Sequence, residues 1–184
     1  MKSIILAAGK GTRLGLLTQR KPKCLNTLNG KTILGYQINV MKSCEINEIC
    51  IVTGYLHNLI KNQNIKKYIN PNYASTNMVS TLFTASREFQ NDSDIIISYG
   101  DIIYSQEVLK KLICCESPIS LTIDIDWKQY WYTRMDNPLE DAESLKLDKD
   151  DFIIDIGNKV DKIEHIEGQY MGLIKIRKDI VKDF

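Results

Sequence analysis

Short apolar runs alternate with amphipathic segments along the first two thirds of the chain. Runs typical of buried strands occupy residues 4–8, 48–53, 94–99 and 118–126, with a shorter one over 67–70. Apolar residues at helical spacing predict helices over 33–41, 78–89 and 105–114, and a short helix over 56–63. Because strands and helices alternate, the pattern predicts an α/β fold with three layers and a mostly parallel central sheet.

The pattern changes after Asp126. The segment 127–141 is aromatic and charged and follows neither a helical nor a strand period. Residues 143–147 and 152–156 predict a small β insertion, and 169–176 predict a return to the main sheet. We interpret the chain as a single domain over 1–184, with 127–167 inserted over the strand ends. Ligands bind outside the carboxyl ends of strands in open α/β sheets, so the insertion is expected to form a lid or an acceptor pocket.

Composition limits the classes of partner. The chain has 24 Lys and Arg against 23 Asp and Glu, a formal net charge of +1, which argues against a nucleic-acid partner. No apolar run reaches the roughly 18 residues of a membrane span, and a strand begins directly after the N-terminus, so neither a membrane segment nor a signal peptide is expected. The five cysteines lack C-x-x-C spacing, which is typical of reduced thiols in a cytoplasmic protein. The sequence does not predict an oligomeric state.

The first strand opens into a loop that is rich in glycine and in basic residues. Gly9, Gly11 and Gly15 alternate there with the cations Lys10, Arg13, Lys21 and Lys23. Glycines let backbone amides approach a ligand, and successive amides form a concavity that binds anions. The spacing fits neither a P-loop nor the dinucleotide-binding fingerprint. The loop therefore predicts a triphosphate site of another kind.

The string LAAGKGTRL, followed by Pro22-Lys23, resembles the signature of the sugar-phosphate nucleotidyltransferase superfamily. The resemblance implies a Rossmann-like nucleotidyltransferase fold in which Lys10 and Arg13 bind the β- and γ-phosphates. It also implies that Lys23 bridges the two reacting phosphates and that Asp101, in a Gly100-Asp101 pair, holds Mg²⁺. From the residues alone, Asp101 after a buried strand could be a turn residue or a helix cap, but together with the loop at 9–23 it favours a metal ligand. The predicted nucleotide-binding residues are Leu6, Ala7, Ala8, Gly9, Lys10, Gly11, Thr12, Arg13, Ser75, Asn77, Ser80 and Gly100.

Residues 70–82, NPNYASTNMVSTL, place polar side chains just before a predicted helix. Ser75 and Asn77 could read a base edge through hydrogen bonds, or could cap the helix. The string is similar to the cytidylyltransferase branch of the superfamily, which implies CTP as the nucleotide.

Aromatic and acidic residues cluster in DWKQYWYTRMDNPLEDAESL, residues 126–145. Aromatic faces and carboxylates together bind ammonium groups, although the aromatics could simply pack a lid. The segment and Gly168–Leu173 are similar to the same cytidylyltransferases, with Gln169 replacing their usual glutamate. The resemblance implies a small amino-bearing phosphorylated acceptor, phosphoglutamine ahead of phosphocholine or aminoethylphosphonate. The predicted acceptor-binding residues are Lys23, Asp126, Trp131, Tyr132, Asp141, Glu143, Lys159 and Gln169.

The predicted function is thus Mg²⁺-dependent transfer of CMP from CTP to that acceptor, with Lys23, Arg13 and Asp101 as catalytic residues. Two alternatives remain open: a sugar-1-phosphate uridylyl- or thymidylyltransferase, and a non-catalytic nucleotide-binding module. The family's second metal-binding acid lies well after the segment around Gly172, where only Leu173–Phe184 follows here. We therefore expect these 184 residues to lack the last part of the family domain, to bind CTP, and to turn over slowly.

Overall fold

The computed structural model describes residues 1–61, 64–90 and 92–181. The strands are β1 (Lys2–Ala7), β2 (Thr27–Leu28), β3 (Lys31–Thr32), β4 (Glu48–Thr53), β5 (Lys66–Ile69), β6 (Ile95–Tyr99), β7 (Ile119–Asp124), β8 (Leu145–Leu147), β9 (Ile153–Ile156) and β10 (Gln169–Ile176). The α-helices are α1 (Ile33–Ser43), α2 (Met78–Phe83), α3 (Gln106–Cys114), α4 (Trp127–Arg134) and α5 (Lys178–Val181). Short 3-10 helices cover Thr12–Thr18, Lys23–Leu25, His57–Leu59, Ser86–Gln90, Pro138–Glu140 and Ile163–His165.

Among the described residues, six strands form the central sheet in the order β5-β4-β1-β6-β10-β7. Strand β1 pairs in parallel with both β4 and β6, and β4 pairs in parallel with β5. Strand β10 runs antiparallel to β6, with Leu173 opposite Ser98. The expected α/β fold with a mainly parallel sheet is therefore confirmed.

Both faces of the sheet are buried, because alternate residues of β1 point to opposite sides. On one side Ile5 packs with Leu34 and Met41 of α1 and with Leu109 of α3. On the other side Ile4 and Leu6 pack in a separate core with Phe89 and Val181. Continuous apolar runs such as Ile4–Leu6 are the sequence signature of this two-sided burial.

Two predicted helices differ from the structure. The helix expected over 78–89 divides into α2 and the 3-10 helix Ser86–Gln90, and Met78, Val79 and Phe83 are exposed. The short helix expected over 56–63 is a 3-10 helix at His57–Leu59, and residues 62 and 63 lie outside the described part of the chain. Local spacing predicted these helices, but tertiary packing decided how far each one extends.

The segment 127–141, in which the sequence showed no period, contains helix α4. Its Trp127 is fully buried and packs with Ala142 and Ile166. Trp131, one turn later and partly buried, packs against the same cluster, so two aromatic residues anchor the helix and no longer apolar stripe is needed.

The chain divides into two compact units. One comprises Met1–Ser120 and the residues from Gly172 onward, and the other comprises Leu121–Met171. The second unit contains α4 and the antiparallel hairpin of β8 and β9, which the sequence predicted as a small β insertion. That the whole chain is one nucleotidyltransferase domain with an insertion over 127–167 stays a prediction.

Candidate active site

The glycine-rich loop follows β1 and is shaped by Thr18. This side chain is buried, and its hydroxyl Oγ1 lies 2.9 Å from the carbonyl oxygen of Gly11 and 3.3 Å from that of Gly15. Gly11 and Gly15 both adopt positive φ angles, 66° and 53°, which side chains other than glycine rarely adopt. No sequence pattern singled out Thr18, because the loop also contains a second threonine, Thr12, which is exposed.

The predicted nucleotide-binding residues of this loop divide by burial. Leu6 and Ala8 are buried at the end of β1 and Ala7 is half-buried, so they can offer a ligand only backbone groups. Gly9, Lys10, Thr12 and Arg13 are exposed, and Gly11 is half-buried. The exposed backbone and cations of residues 9–13 thus lie at the carboxyl end of a central parallel strand, where α/β proteins bind ligands.

Gly100 joins the end of β6 to the end of β1. Its amide donates a hydrogen bond to the carbonyl of Leu6 at 2.8 Å. A Cβ atom at this position would lie 2.7 Å from Cβ of Ala7 and 2.8 Å from that same carbonyl oxygen, so only glycine fits. The close approach places Asp101 directly beside the start of the glycine-rich loop.

Lys23 and Asp101 meet at this end of the sheet. The Nζ atom of Lys23 donates to Oδ2 of Asp101 at 2.6 Å, across 78 residues of sequence. Lys23 begins a 3-10 turn after Pro22, and the turn is fixed by the buried side chain of Cys24. The structure therefore brings together two of the three residues predicted to be catalytic; Arg13 lies on the same loop as Lys23.

Gln37 is a site residue that the sequence analysis missed. It is buried on α1, and its Nε2 donates to the carbonyl of Tyr99 at 2.9 Å and to that of Ile102 at 2.7 Å. Its Oε1 accepts a hydrogen bond from Ser98 at 3.0 Å. Gln37 thus binds the backbone on both sides of Asp101 through hydrogen bonds. A polar residue on the apolar face of a predicted helix was the available signal.

The polar segment before α2 caps that helix. Oδ1 of Asn77 accepts a hydrogen bond from the amide of Ser80 at 3.0 Å, and the hydroxyl of Ser75 donates to the carbonyl of Asn72 at 3.3 Å. The predicted base-reading residues Ser75 and Asn77 are exposed, as is Ser80, another predicted nucleotide-binding residue. The capping interpretation is confirmed for Asn77, and a contact with a base stays a prediction.

In the second unit, Glu143 and Gln169 lie together. The Nε2 of Gln169 donates to the carbonyl of Glu143 at 2.7 Å and to that of Gly168 at 3.0 Å. Because Gln169 is buried and binds the backbone of Glu143, it positions that residue while the Glu143 side chain is exposed. Asp126 and Lys159 are also exposed, and the amide of Asp126 donates to Oδ1 of Asp124.

The predicted ammonium pocket already contacts a cation of the chain. The guanidinium carbon of Arg134 lies 4.9 Å from the ring centroid of Trp131 and 5.4 Å from that of Tyr130. Its Nη2 atom lies 3.9 Å from Oδ2 of Asp141. Tyr132, the next residue of α4, is exposed. Trp131 and Asp141 therefore share Arg134, which a small ammonium ligand would have to displace.

The chemistry of Asp101 fits a magnesium ion that arrives with a nucleotide. Mg²⁺ takes oxygen ligands and is commonly bound by one or two carboxylates together with substrate phosphates. Within residues 1–61, 64–90 and 92–181, no three His, Cys, Asp or Glu side chains group closely enough to hold a metal on their own. A phosphate ligand would thus have to complete a metal site at Asp101.

The fold and the glycine-rich loop after the first strand agree with the comparisons with known proteins, which place the chain among the nucleotidyltransferases. The model of the MobA-like NTP transferase domain matches residues 3–125, and the chain belongs to this family. The CTP:phosphoglutamine cytidylyltransferase of Campylobacter jejuni is 43% identical over 95% of this chain and 72% of its own length. The choline-phosphate cytidylyltransferase of Streptococcus pneumoniae is 39% identical over 50% of this chain and 42% of its own.

A solved structure confirms the fold. That of the CTP:phosphocholine cytidylyltransferase from Streptococcus pneumoniae aligns with 99% of this chain and 73% of its own, with a TM-score of 0.67 and 22% identity. The resemblance to the cytidylyltransferase branch of nucleotidyltransferases is thus confirmed, and the chain is a nucleotidyltransferase. In the part of the chain that the structure describes, no helix has the length and apolar character needed to cross a membrane.

Proposed function

We propose that this chain is a cytoplasmic, Mg²⁺-dependent cytidylyltransferase that transfers CMP from CTP to a small amino-bearing phosphorylated acceptor. The observation that carries the proposal is the contact of Lys23 with Asp101 beside the glycine-rich loop. The 43% identity to a CTP:phosphoglutamine cytidylyltransferase supports CTP as the nucleotide and phosphoglutamine as the first acceptor to test. Phosphocholine and aminoethylphosphonate are the next acceptors to test.

The reaction needs alignment of anions and no covalent enzyme intermediate. A phosphate oxygen of the acceptor attacks the α-phosphorus of CTP, the bond to the β-phosphate oxygen breaks, and pyrophosphate leaves. The two substrates repel each other, so the protein contributes by holding them in line and by offsetting the charge that develops. Mg²⁺ held by Asp101 and the triphosphate would supply part of that neutralisation.

Residues of the glycine-rich loop supply the remaining charge neutralisation and the alignment of the substrates. The exposed amides over residues 9–13 and the side chains of Lys10 and Arg13 bind the triphosphate in this proposal. Lys23 lies at the end of the loop, and its ammonium group bridges the acceptor phosphate and the α-phosphate. Lys23 contacts Asp101 at 2.6 Å, so in this proposal its ammonium group exchanges that carboxylate for the two phosphates.

A pyrophosphate-release assay tests this function. CTP, UTP, dTTP, ATP and GTP are each mixed with phosphoglutamine, phosphocholine, aminoethylphosphonate or glucose 1-phosphate in the presence of Mg²⁺. We expect release of pyrophosphate with CTP and an amino-bearing acceptor. Mass spectrometry should then detect the cytidylylated product. Release with UTP or dTTP and glucose 1-phosphate would instead identify a sugar nucleotidyltransferase. CTP binding with no turnover in any mixture would identify a binding module.

The proposed binding of the acceptor is tested by a substitution in the second unit. If the exposed carboxylate of Glu143 binds the acceptor's ammonium group, Glu143→Gln raises the KM of the acceptor by about tenfold and leaves the KM of CTP unchanged. Glu140→Gln, also exposed and on the same segment, is the matched control. Equal changes in both KM values would show that residues 127–167 act as a structural lid.

A further inference from the structure

We propose that Tyr55, in the turn after β4, is a positioning residue that holds the glycine-rich loop in the shape that receives the triphosphate. The inference rests on the proposed function of that loop, and it deepens it. Neither the motifs of the sequence nor the predicted site residues include Tyr55. The proposal rests on three contacts of Tyr55 with the loop, all within the first compact unit.

Tyr55 binds both ends of the loop. Its backbone amide donates to the carbonyl of Ala8 at 2.9 Å, where the loop leaves β1. Its phenolic hydroxyl donates to the carbonyl of Gln19 at 2.9 Å, just after the 3-10 helix that ends at Thr18. One residue therefore fixes the separation between the two limbs of the loop from outside it.

The ring of Tyr55 contacts the cation between these two anchors. The Nζ atom of Lys10 lies 5.8 Å from its ring centroid, within the range of a cation–π contact. The ring packs edge-on against Tyr73, with centroids 6.2 Å apart and an interplanar angle of 61°. The ring of Tyr55 thus lies between Tyr73 and Lys10. Lys10 is one of the residues proposed to bind the β- and γ-phosphates.

Gly54 makes this arrangement possible. A Cβ atom at residue 54 would lie 2.6 Å from Cβ of Tyr73 and 2.8 Å from the carbonyl oxygen of Ala8. Only glycine therefore lets the backbone come close enough for the amide of Tyr55 to reach Ala8. The turn after β4 is built around this approach.

A loop that is held in its binding shape loses less conformational entropy when the ligand arrives. Removing the Tyr55 hydroxyl should therefore weaken CTP binding more than it slows the chemical step. The loss of one hydrogen bond of typical net strength corresponds to about a fivefold rise in the KM of CTP, with kcat close to that of the wild type.

Tyr36 provides a matched control. Its hydroxyl donates to a backbone carbonyl, that of Leu28 at 3.1 Å, and Lys31 Nζ lies 5.0 Å from its ring centroid. It has the same two kinds of contact as Tyr55, but they lie on β2, β3 and α1. Tyr36→Phe removes an equivalent hydrogen bond and leaves the glycine-rich loop untouched.

The experiment compares Tyr55→Phe, Tyr55→Leu and Tyr36→Phe with the wild type by two readouts. The first is the rate of tryptic cleavage after Arg13 and Arg20 in the ligand-free protein, followed by intact mass. The second is the KM of CTP and kcat in the pyrophosphate assay. We expect Tyr55→Phe to be cleaved faster and to raise the KM of CTP about fivefold, Tyr55→Leu to exceed it in both, and Tyr36→Phe to match the wild type.

Tyr55→Phe and Tyr36→Phe with equal cleavage rates would overturn the proposal, as would faster cleavage with an unchanged KM of CTP. If Tyr55→Leu fails to fold, Tyr55→Phe, which retains the ring, decides the outcome. A wild type that uses no CTP would refute the proposed function, whereas the cleavage rates would still decide whether Tyr55 holds the loop.

Discussion

Lysine and carboxylate side chains meet at both ends of the parallel strands, in two different environments. At the amino ends, Glu88 accepts hydrogen bonds from Lys2 at 3.0 Å, from Lys66 at 2.6 Å and from Tyr68. At the carboxyl ends, Lys23 contacts Asp101. The Glu88 side chain is only 9% exposed, whereas those of Lys23 and Asp101 are 34% and 38% exposed.

The difference in burial separates a structural cluster from a site that can respond to a ligand. Burial opposes ionisation of Glu88, but the hydrogen bonds from Lys66, Tyr68 and Lys2 outweigh it and lower the pKa of Glu88 to about 2. Such a carboxylate stays charged and stays paired. An exposed ion pair is worth little in free energy, so Lys23 and Asp101 can exchange their mutual contact for phosphates and a metal ion.

The largest expected effect comes from Lys23. Lys23→Ala should lower kcat by roughly 100- to 1000-fold, because the lost ammonium group acts on charge that develops at the reacting phosphates. CTP affinity, measured by titration calorimetry, should stay close to that of the wild type. Lys42→Ala, an exposed lysine on α1, is the control. A near-normal kcat for Lys23→Ala would remove this residue from the reaction.

At the other cluster, Glu88→Gln should lower the free energy of unfolding by about 2–4 kcal/mol, because it leaves the buried ammonium of Lys2 poorly compensated. Urea denaturation measures the loss. Glu48→Gln removes the exposed partner of Lys2, at 3.2 Å, and should cost less than about 1 kcal/mol. Equal losses in the two variants would contradict the structural role assigned to Glu88.

The structural role of Glu88 should also appear in the pH dependence of stability. The pKa of Glu88 lies below its ordinary value of 4.5 in the folded protein, so the unfolded chain binds the proton more readily. The stabilisation from Glu88 is therefore present above about pH 5 and is lost as the pH falls toward 2. Urea denaturation from pH 6 to pH 3 should show a steeper loss of stability in the wild type than in Glu88→Gln. Parallel curves would mean that Glu88 titrates alike in both states.

The smallest expected effect is on the stability contribution of the site pair. Asp101→Asn should change the free energy of unfolding by less than about 1 kcal/mol, although it should impair turnover in the presence of Mg²⁺. The same urea denaturation series checks this. A loss as large as that for Glu88→Gln would show that the Lys23–Asp101 pair is structural, and would end the contrast between the two clusters.

Much of this molecule was predictable because its signals are local. The run Ile4–Leu6 predicted a strand buried on both faces, and the apolar spacing over 105–114 predicted α3, which Ser105 caps by accepting a hydrogen bond from the amide of Val108. The glycine-rich loop, with Lys23 at its end, predicted an anion site by residue type and spacing. Helix α4 was missed because two tryptophans, Trp127 and Trp131, anchor it, and two residues are too few to show a period.

The sequence by itself determined the alternation of the main strands and helices over the first two thirds of the chain, the glycine-rich loop and the resemblance to nucleotidyltransferases, because these depend on neighbouring residues. Only the tertiary structure decided that Lys23 meets Asp101, that Gln37 grips the backbone around Asp101, and that Tyr55 spans the loop. Each of these contacts joins residues far apart in the chain. These residues come into contact because the order of strands in the sheet brings distant segments of the chain together. A local pattern of residues does not predict that order.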